Sequence, residues 1–544
     1  MTSRAEPAAD LALTGGPVST MDPRYPFTDA VAVRGGRLVA LGTERVRAHL
    51  GPSTEVVDLR GRLLLPGFHD AHAHPLFGGI ERLRCDLSGS ADAAECLRRV
   101  GDHARTVATP QWILGGGWEM GLFPGGTPGS GPLDAVTGSR PAYLLSRDHH
   151  SAWVNGAALE RAGIDRTTPD PPDGRIERDH SGAPTGTLHE GAAELVAAVL
   201  PAAGADEYRR GLLEGQRFLH SQGVTSWHDA ILGSYLGYRD ALDTYLDLDR
   251  GGLLSATVRG SLWWERHRGL DQVEDLVRRR GRARGERFRA DSVKIMVDGI
   301  CENLTAALRH PYLGGHGNGL SFVDGEELSE VVRELDSRGF PVHFHSVGDR
   351  AVRDALDAVA HARDVNGNSG LRHQIAHVQV VDPADVPRFA DLGVTATIQA
   401  AWAVNDADMA ELTTPLLGAE RAQWQYPFRS LRDAGAALAA GSDWPVSEAE
   451  PMLAAHVAVN RSNPGRDEQP CVPQESLRLQ DVLAAYTSGS ARVNSLDDRI
   501  GALRVGMDAD LVVLDRDPFS LPRAEIGNSQ VDLTVAGGRV VFER

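Results

Sequence analysis

Several histidines and one aspartate lie at the ends of segments whose sequence predicts buried β-strands. His72 and His74 are two residues apart. Residues i and i+2 of a strand point to the same side, so both imidazoles can reach one metal ion. His345, His377 and Asp443 end three later segments of the same kind. Imidazoles combined with one carboxylate suit zinc or another borderline divalent metal. The His-x-His spacing alone is a weak signal, but the five residues together predict a metal site.

The alternative is that each of these histidines is a hydrogen-bonded polar residue that lines a barrel. Two of them also have ambiguous neighbours, because His343 precedes His345 by two residues and His373 precedes His377 by four. We choose the later member of each pair, which lies closer to the C-terminal rim where barrel active sites are found. Four further histidines are then expected to be buried in the barrel or to orient the ligands from behind: His69, His228, His343 and His373.

A single lysine, Lys294, is present among the 56 Lys and Arg residues of the chain. An ammonium group beside metal cations would be repelled, whereas a neutral amine whose pKa is lowered by burial can add carbon dioxide. The product, formed with release of a proton, is a carbamate anion whose two oxygens can bridge two metals. Arginine cannot react in this way because its guanidinium does not deprotonate. The alternative is a lysine in an ordinary salt bridge.

The elements that must position these residues alternate between strand-like and helical patterns. This alternation indicates βαβ units and a parallel sheet, and we predict an α/β fold of the (β/α)8 TIM-barrel class. The candidate ligands then fall at the C-terminal ends of barrel strands. The eight candidate strands are residues 67–74, 223–229, 256–263, 292–298, 341–345, 374–379, 395–400 and 437–443.

The two ends of the chain resemble each other, since residues 31–39 and 533–541 both place a Gly-Gly turn between short strands. We predict a small composite β-sandwich of residues 1–66 and 490–544, and a barrel domain of residues 67–489. About 140 residues separate the first two barrel strands, far more than one crossover needs. Residues 85–215 are therefore predicted to form an insertion that emerges at the active-site face as a lid or substrate-shaping subdomain.

These motifs resemble the amidohydrolase superfamily, and within it the amidohydrolase-3 branch that includes the N-substituted formamide deformylases. The similarity covers nearly the whole chain. One departure is Ala376, because the branch often has Glu before the strand-six histidine. The segments that carry the resemblance are 66–75 (PGFHDAHAHP), 293–299 (VKIMVDG), 345–351 (HSVGDRA), 377–379 (HVQ) and 441–445 (GSDWP), with 115–118, 150–155 and 186–190 in the insertion.

The resemblance implies the barrel, the split sandwich and a site for one or two divalent metals, with zinc expected. In this hypothesis His72, His74 and Asp443 hold one metal, His345 and His377 hold a second, and carbamylated Lys294 bridges them. Asp443 takes a proton from the attacking water and passes it to the leaving nitrogen. Substrate-binding residues are expected to include Trp118, His150, Trp153, Asp298 and Trp444.

Three functions remain open at this point. The first is hydrolysis of a non-peptide carbon–nitrogen bond, as in a deformylase-like amidohydrolase. The second is another reaction of the same metal barrel, such as ester or lactone hydrolysis, decarboxylation or isomerisation, because fold does not determine function. The third is a non-catalytic binding protein. A lost metal ligand would support that third function, and none is missing from the motif set.

Net charge, apolar runs and cysteine content limit the expected cellular location and the classes of partner. The net charge of −18 repels nucleic acid and anionic membranes, and no run approaches the roughly 18 apolar residues of a membrane span. Residues 1–10 have no apolar segment after a basic start, which predicts a cytoplasmic protein. The four cysteines form no CxxC pair, which argues against a disulfide framework. We expect a small-molecule substrate, and the sequence is compatible with a homodimer.

Overall fold

The barrel is the centre of the structure, a computed structural model that describes residues 7–106, 111–466 and 468–544. Eight strands pair in parallel, each with the next along the chain, so the predicted α/β barrel is confirmed. Nearly all of their residues are buried, as expected for strands covered on both faces. The barrel strands are Phe68–Ala73, Val224–Leu232, Thr257–Trp263, Phe288–Met296, Val342–Ser346, Gln374–His377, Thr395–Ile398 and Leu438–Ala440.

The eighth strand approaches the first without a regular ladder between them. The backbone N–H of Asp443 donates to the carbonyl of His72 at 2.7 Å. Gly441 allows this approach, because a Cβ at that position would lie 2.6 Å from the backbone nitrogen of His72. The barrel is therefore nearly closed, and its closure point lies at the candidate metal ligands.

Amphipathic helices cover the outside of the barrel. In the helix Asp349–Asn366, Val352, Leu356 and Val359 are buried at the spacing of one helical face. Among the described residues, no helix is both long and apolar enough to cross a membrane. The α-helices are Thr43–Arg47, Pro75–Leu83, Ala93–Thr106, Ser130–Thr137, Gly156–Ala162, Gly191–Ala197, Ala205–Ser221, Leu242–Arg250, Val273–Arg282, Gly325–Ser337, Asp349–Asn366, Val386–Asp391, Thr414–Leu417, Phe428–Asp433, Pro451–Asn460, Leu479–Ala484 and Ser490–Val493.

The segment between the first two barrel strands contains a six-stranded sheet of its own. The helix Ala205–Ser221, which begins inside the predicted insertion and extends past its end, packs against the helix Pro75–Leu83 beside the barrel. Gly79 permits this contact, since a Cβ there would lie 1.8 Å from the carbonyl oxygen of Gly211. The strands of the inserted sheet, in spatial order, are Gly174–Arg178, Pro184–Glu190, Ser151–Val154, Ala142–Ser146, Ile113–Trp118 and Cys85–Asp86.

Both ends of the chain contribute to a third sheet. Its two halves meet where Leu63–Pro66 pairs antiparallel with Leu511–Leu514. The strands form one connected sheet rather than two separated ones, and the composite sandwich with its domain boundaries stays a prediction. The strands are Leu11–Ser19, Phe27–Arg34, Arg37–Leu41, Glu55–Asp58, Leu63–Pro66, Leu511–Leu514, Val531–Ala536 and Arg539–Glu543.

Candidate active site

The structure brings the six predicted metal ligands together at the C-terminal ends of the barrel strands. Asp443 lies at the centre, with Oδ1 3.2 Å from Nε2 of His72 and 3.0 Å from Nε2 of His74. Its Oδ2 lies 3.8 Å from Nδ1 of His377. Nζ of Lys294 lies 3.3 Å from Nε2 of His72. The ring of His345 has its centroid 4.3 Å from that of His377.

Several atoms of this cluster are buried without a hydrogen-bond partner among the described residues. They are Nδ1 of His74, both ring nitrogens of His377 and Oδ1 of Asp443, whose close approach to His72 and His74 does not have hydrogen-bond geometry. Unsatisfied buried polar atoms are costly, and several in one place require an explanation. The nitrogen and carboxylate donors of His72, His377 and Asp443 come within 4.8 Å of one another. A divalent cation held among these donors would be a partner for Oδ1 of Asp443 and for one ring nitrogen of His377, so the residues fit a metal.

The backbone is strained where it presents two of these ligands. His377 has φ 79°, the following Val378 has φ 43°, and Asp443 has φ 61°. Non-glycine residues rarely adopt positive φ, least of all β-branched valine. Such strain persists only where the surroundings impose it, and it clusters at functional sites. Asp70, to which the sequence analysis assigned no role, holds the closure in place by accepting the backbone N–H groups of His72 at 3.1 Å and Ser442 at 3.0 Å.

Each candidate histidine ligand is oriented by a neighbour. Nδ1 of His72 lies 2.8 Å from Nε2 of His343, and Nε2 of His345 lies 3.2 Å from the carbonyl oxygen of Gly299. The other two are held by parallel stacking. The rings of His74 and Phe77 have centroids 5.5 Å apart, and those of His377 and Trp402 have centroids 5.1 Å apart.

The surroundings of Lys294 favour the neutral amine. Burial lowers the pKa of Lys294 from its ordinary value of 10.5 to about 7, against the attraction of Asp443. Desolvation disfavours the charged form of a base because the ammonium loses its hydration. The amine is therefore available for the reaction with carbon dioxide that the sequence analysis predicted.

Two histidines of the insertion, His149 and His150, line the same cavity, and each contacts a buried glutamate. Nδ1 of His150 lies 2.8 Å from Oε1 of Glu190, and Nε2 of His149 lies 2.8 Å from Oε1 of Glu81. Burial alone would lower the pKa of His150, but the ion pair with Glu190 raises it to about 9. The insertion thus supplies polar side chains to the same cavity as the candidate metal ligands.

The structure does not place the predicted tryptophans in this cavity. Trp118 and Trp153 pack in the core of the insertion, where their indole N–H groups donate to the carbonyls of Leu144 and Gly129. Trp444 packs against Phe218. These side chains are buried in apolar surroundings that the sequence pattern did not distinguish from a binding wall.

Asp298 is fully buried and accepts the backbone N–H groups of Ala307, Val347 and Gly348. Burial nevertheless raises the pKa of Asp298 to about 8. Its Oδ1 lies 4.0 Å from Nε2 of His345. The carboxyl group thus holds the loops behind the ligands in place, and the residue is absent from the cavity wall.

The cavity contains about 390 Å³ of space, including the part open to solvent. Polar groups cluster around the candidate ligands, and apolar side chains surround them. Eight lining residues were not identified in the sequence: Phe77, Asp148, His149, Ile231, Tyr235, Trp263, Met296 and Val446. Because they come from separate loops and strands, no local pattern marks them as one surface.

Residues 55–542 match the Amidohydrolase family. The chain belongs to this family. The match supports a metal-dependent hydrolase that acts on carbon–nitrogen bonds. Among curated relatives, the chain is 32% identical to Protein LONG AFTER FAR-RED 3 of Arabidopsis thaliana, over 100% of this chain and 93% of that protein.

The chain is also 28% identical to the N-substituted formamide deformylase of Arthrobacter pascens, over 98% of each. Among solved structures, an uncharacterized metal-dependent hydrolase from Pyrococcus horikoshii OT3 is 27% identical. That match has a TM-score of 0.73 and covers 94% of this chain and 99% of the other.

Proposed function

We propose that this amidohydrolase cleaves the carbon–nitrogen bond of a small non-peptide amide, with N-substituted formamides as the first substrate class to examine. The observation that carries the proposal is the convergence of six candidate ligands, several of whose own buried atoms have no hydrogen-bond partner among the described residues. The similarity over nearly full length to a formamide deformylase supports the choice of amides.

In this proposal His72, His74 and Asp443 would hold one divalent metal, with zinc expected. His345 and His377 would hold a second, and a carbamate on Lys294 would supply a further anionic ligand to this pair of sites. When bound, the metals acidify water and polarise the substrate carbonyl. Buried neutral imidazoles suit this role, because a metal ligand must be deprotonated.

Asp443 is proposed as the proton carrier. Its carboxylate contacts His72 and His74 through one oxygen and faces His377 with the other. A carboxylate in this position takes a proton from the attacking water and passes it to the leaving nitrogen, a step that contributes roughly 10²–10⁴-fold to catalysis.

The cavity is proposed to accept a small molecule with an apolar portion. Phe77, Ile231 and Trp263 provide apolar surface, whereas His149 and His150 provide polar groups. Small-ligand sites combine such apolar walls with a few polar groups that fix orientation.

The test is product release from a panel of N-formyl and N-acyl amines, assayed with Zn²⁺ or Mn²⁺ and bicarbonate. We expect formate or another carboxylic acid, together with the free amine, from at least one member. An Asp443→Asn variant is expected to lose at least about 10²-fold in kcat/KM because it cannot accept the proton. Metal-loaded protein that releases acid only from esters or lactones would contradict the amide assignment and favour the second function left open by the sequence.

The bridging carbamate requires a separate variant. Lys294→Arg keeps a long basic side chain but cannot form a carbamate, because its guanidinium does not deprotonate. We expect it to bind fewer metal ions per chain than the wild type, measured by elemental analysis. Full metal content together with full activity would rule out the bridging role.

A further inference from the structure

A chain of hydrogen-bonding side chains runs through the barrel from the candidate ligand His72 to Asn494. Nδ1 of His72 lies 2.8 Å from Nε2 of His343. Nδ1 of His343 lies 3.5 Å from Nε2 of His228 and 3.4 Å from the hydroxyl of Ser261. Nδ1 of His228 contacts the side-chain oxygen of Asn494. All five residues are buried.

The orientation of the Asn494 amide is set by a backbone carbonyl. The amide nitrogen donates to the carbonyl oxygen of Ser490 at 3.1 Å and lies 2.8 Å from Nε2 of His69. A carbonyl oxygen can only accept, so the amide atom facing it must be the nitrogen. The amide oxygen therefore faces His228 and requires a donor there.

The need for a donor facing Asn494 determines which nitrogen of each following ring carries the hydrogen. Nδ1 of His228 carries the hydrogen, so its Nε2 is an acceptor, and the hydroxyl of Ser261 donates to it at 2.7 Å. The single hydroxyl hydrogen of Ser261 is used at this 2.7 Å contact with His228 rather than at the 3.4 Å contact with His343. Nδ1 of His343 therefore donates, either to Nε2 of His228 or to the oxygen of Ser261, and both routes leave its Nε2 as an acceptor. His72 must donate from Nδ1, which leaves the lone pair on its Nε2.

Nε2 is the atom of His72 that faces Asp443 and Lys294. We infer that Asn494, acting through His228 and His343, holds His72 in the tautomer that presents Nε2 to the metal. His343 and Asn494 are thus positioning residues, because they act only through a ligand. Burial also favours the neutral form of these rings, since it lowers the pKa of His228 to about 4 and that of His343 below its ordinary value.

The first test compares variants of His343 by competition between the protein and a chelator for Zn²⁺. His343→Leu is expected to weaken Zn²⁺ binding by about 10–100-fold, the usual cost of removing a partner of a ligand histidine. His343→Gln is expected to bind within a few-fold of the wild type, because its side-chain oxygen can accept from Nδ1 of His72. Equal losses in both variants would overturn the inference and leave His343 a packing role.

The second test removes the residue that sets the direction of the chain. Asn494→Leu is expected to weaken Zn²⁺ binding by about tenfold. Asn494→Asp keeps an oxygen facing His228 and, with its other oxygen protonated toward the carbonyl of Ser490, is expected to bind nearly as well as the wild type. The absorption spectrum of bound Co²⁺ is expected to change in the leucine variant alone. Ser226→Ala is the matched control, since Ser226 contacts His69 beyond Asn494 and lies outside the path to His72.

Thermal unfolding of each metal-free variant separates loss of the fold from loss of binding. If Asn494→Leu does not fold, the comparison of His343→Leu with His343→Gln still decides the tautomer. Wild-type affinity in folded Asn494→Leu would overturn the part of the inference that concerns Asn494.

This inference rests on the proposed metal site. A wild type that binds neither Zn²⁺ nor Co²⁺ would overturn both, whereas the pattern among variants bears on the inference alone.

Discussion

Replacing Lys294 by methionine is expected to stabilise the metal-free protein while it removes the group that forms the carbamate. Methionine has a similar length and carries no charge. Burial lowers the pKa of Lys294 from 10.5 to about 7. Lys294 therefore destabilises the folded state at every pH where the side chain is protonated in the unfolded chain, because on folding it must lose either its proton or its hydration.

The pH dependence follows from these two pKa values. The free-energy cost of burying Lys294 on folding is absent above pH 10.5 and grows as the pH falls. It is complete below about pH 7, where it approaches about 5 kcal/mol. At pH 7 it is about 4 kcal/mol and at pH 9 about 2 kcal/mol. The stability advantage of Lys294→Met should therefore shrink by about 2 kcal/mol between pH 7 and pH 9.

The assay is urea unfolding at both pH values, with chelator present and carbon dioxide excluded so that the amine stays unmodified. Met296→Leu is the control, because Met296 lies on the same strand, lines the same cavity and does not titrate. An advantage for Lys294→Met that is equal at pH 7 and pH 9 would refute the reasoning, since packing alone produces no dependence on pH.

Three further predictions concern residues around the site. Trp118→Phe is expected to lower the free energy of unfolding by about 1–3 kcal/mol through lost packing and the lost hydrogen bond to Leu144; an unchanged KM distinguishes this from a role in substrate binding. Trp402→Ala is expected to weaken Zn²⁺ binding several-fold by removing the stacking on His377, worth roughly 1 kcal/mol, and Trp402→Phe to restore most of it; similar binding by both variants would contradict this. Burial raises the pKa of Asp336, but hydrogen bonds from His373, Ser369 and Asn366 outweigh this effect and lower the pKa to about 2. These hydrogen bonds stabilise the fold above about pH 4, so the deficit of Asp336→Asn in urea unfolding should be full above about pH 5 and narrow as the pH falls toward 2; a deficit of the same size at pH 2 and pH 5 would exclude the mechanism.

The sequence by itself determined the class of fold and the candidate ligands. Both depend on patterns that are local along the chain. Alternation of strands and helices predicts a parallel barrel, and the spacing of His72 and His74 puts both imidazoles on one side of a strand whatever surrounds it. Lys294 could be singled out because arginine cannot supply a neutral amine.

Only the tertiary structure decided what lies behind and opposite the ligands. The pairing of His343 with His72 joins strands five and one across the barrel interior, and the glutamates that hold His149 and His150 come from two different elements. The residues next to Trp118 in the sequence are the same whether its side chain lines a cavity or packs in a core. Contacts of this kind depend on how separate elements pack. The alternation of side chains along a strand predicts which face a residue occupies, but it does not predict which residue it contacts across the barrel.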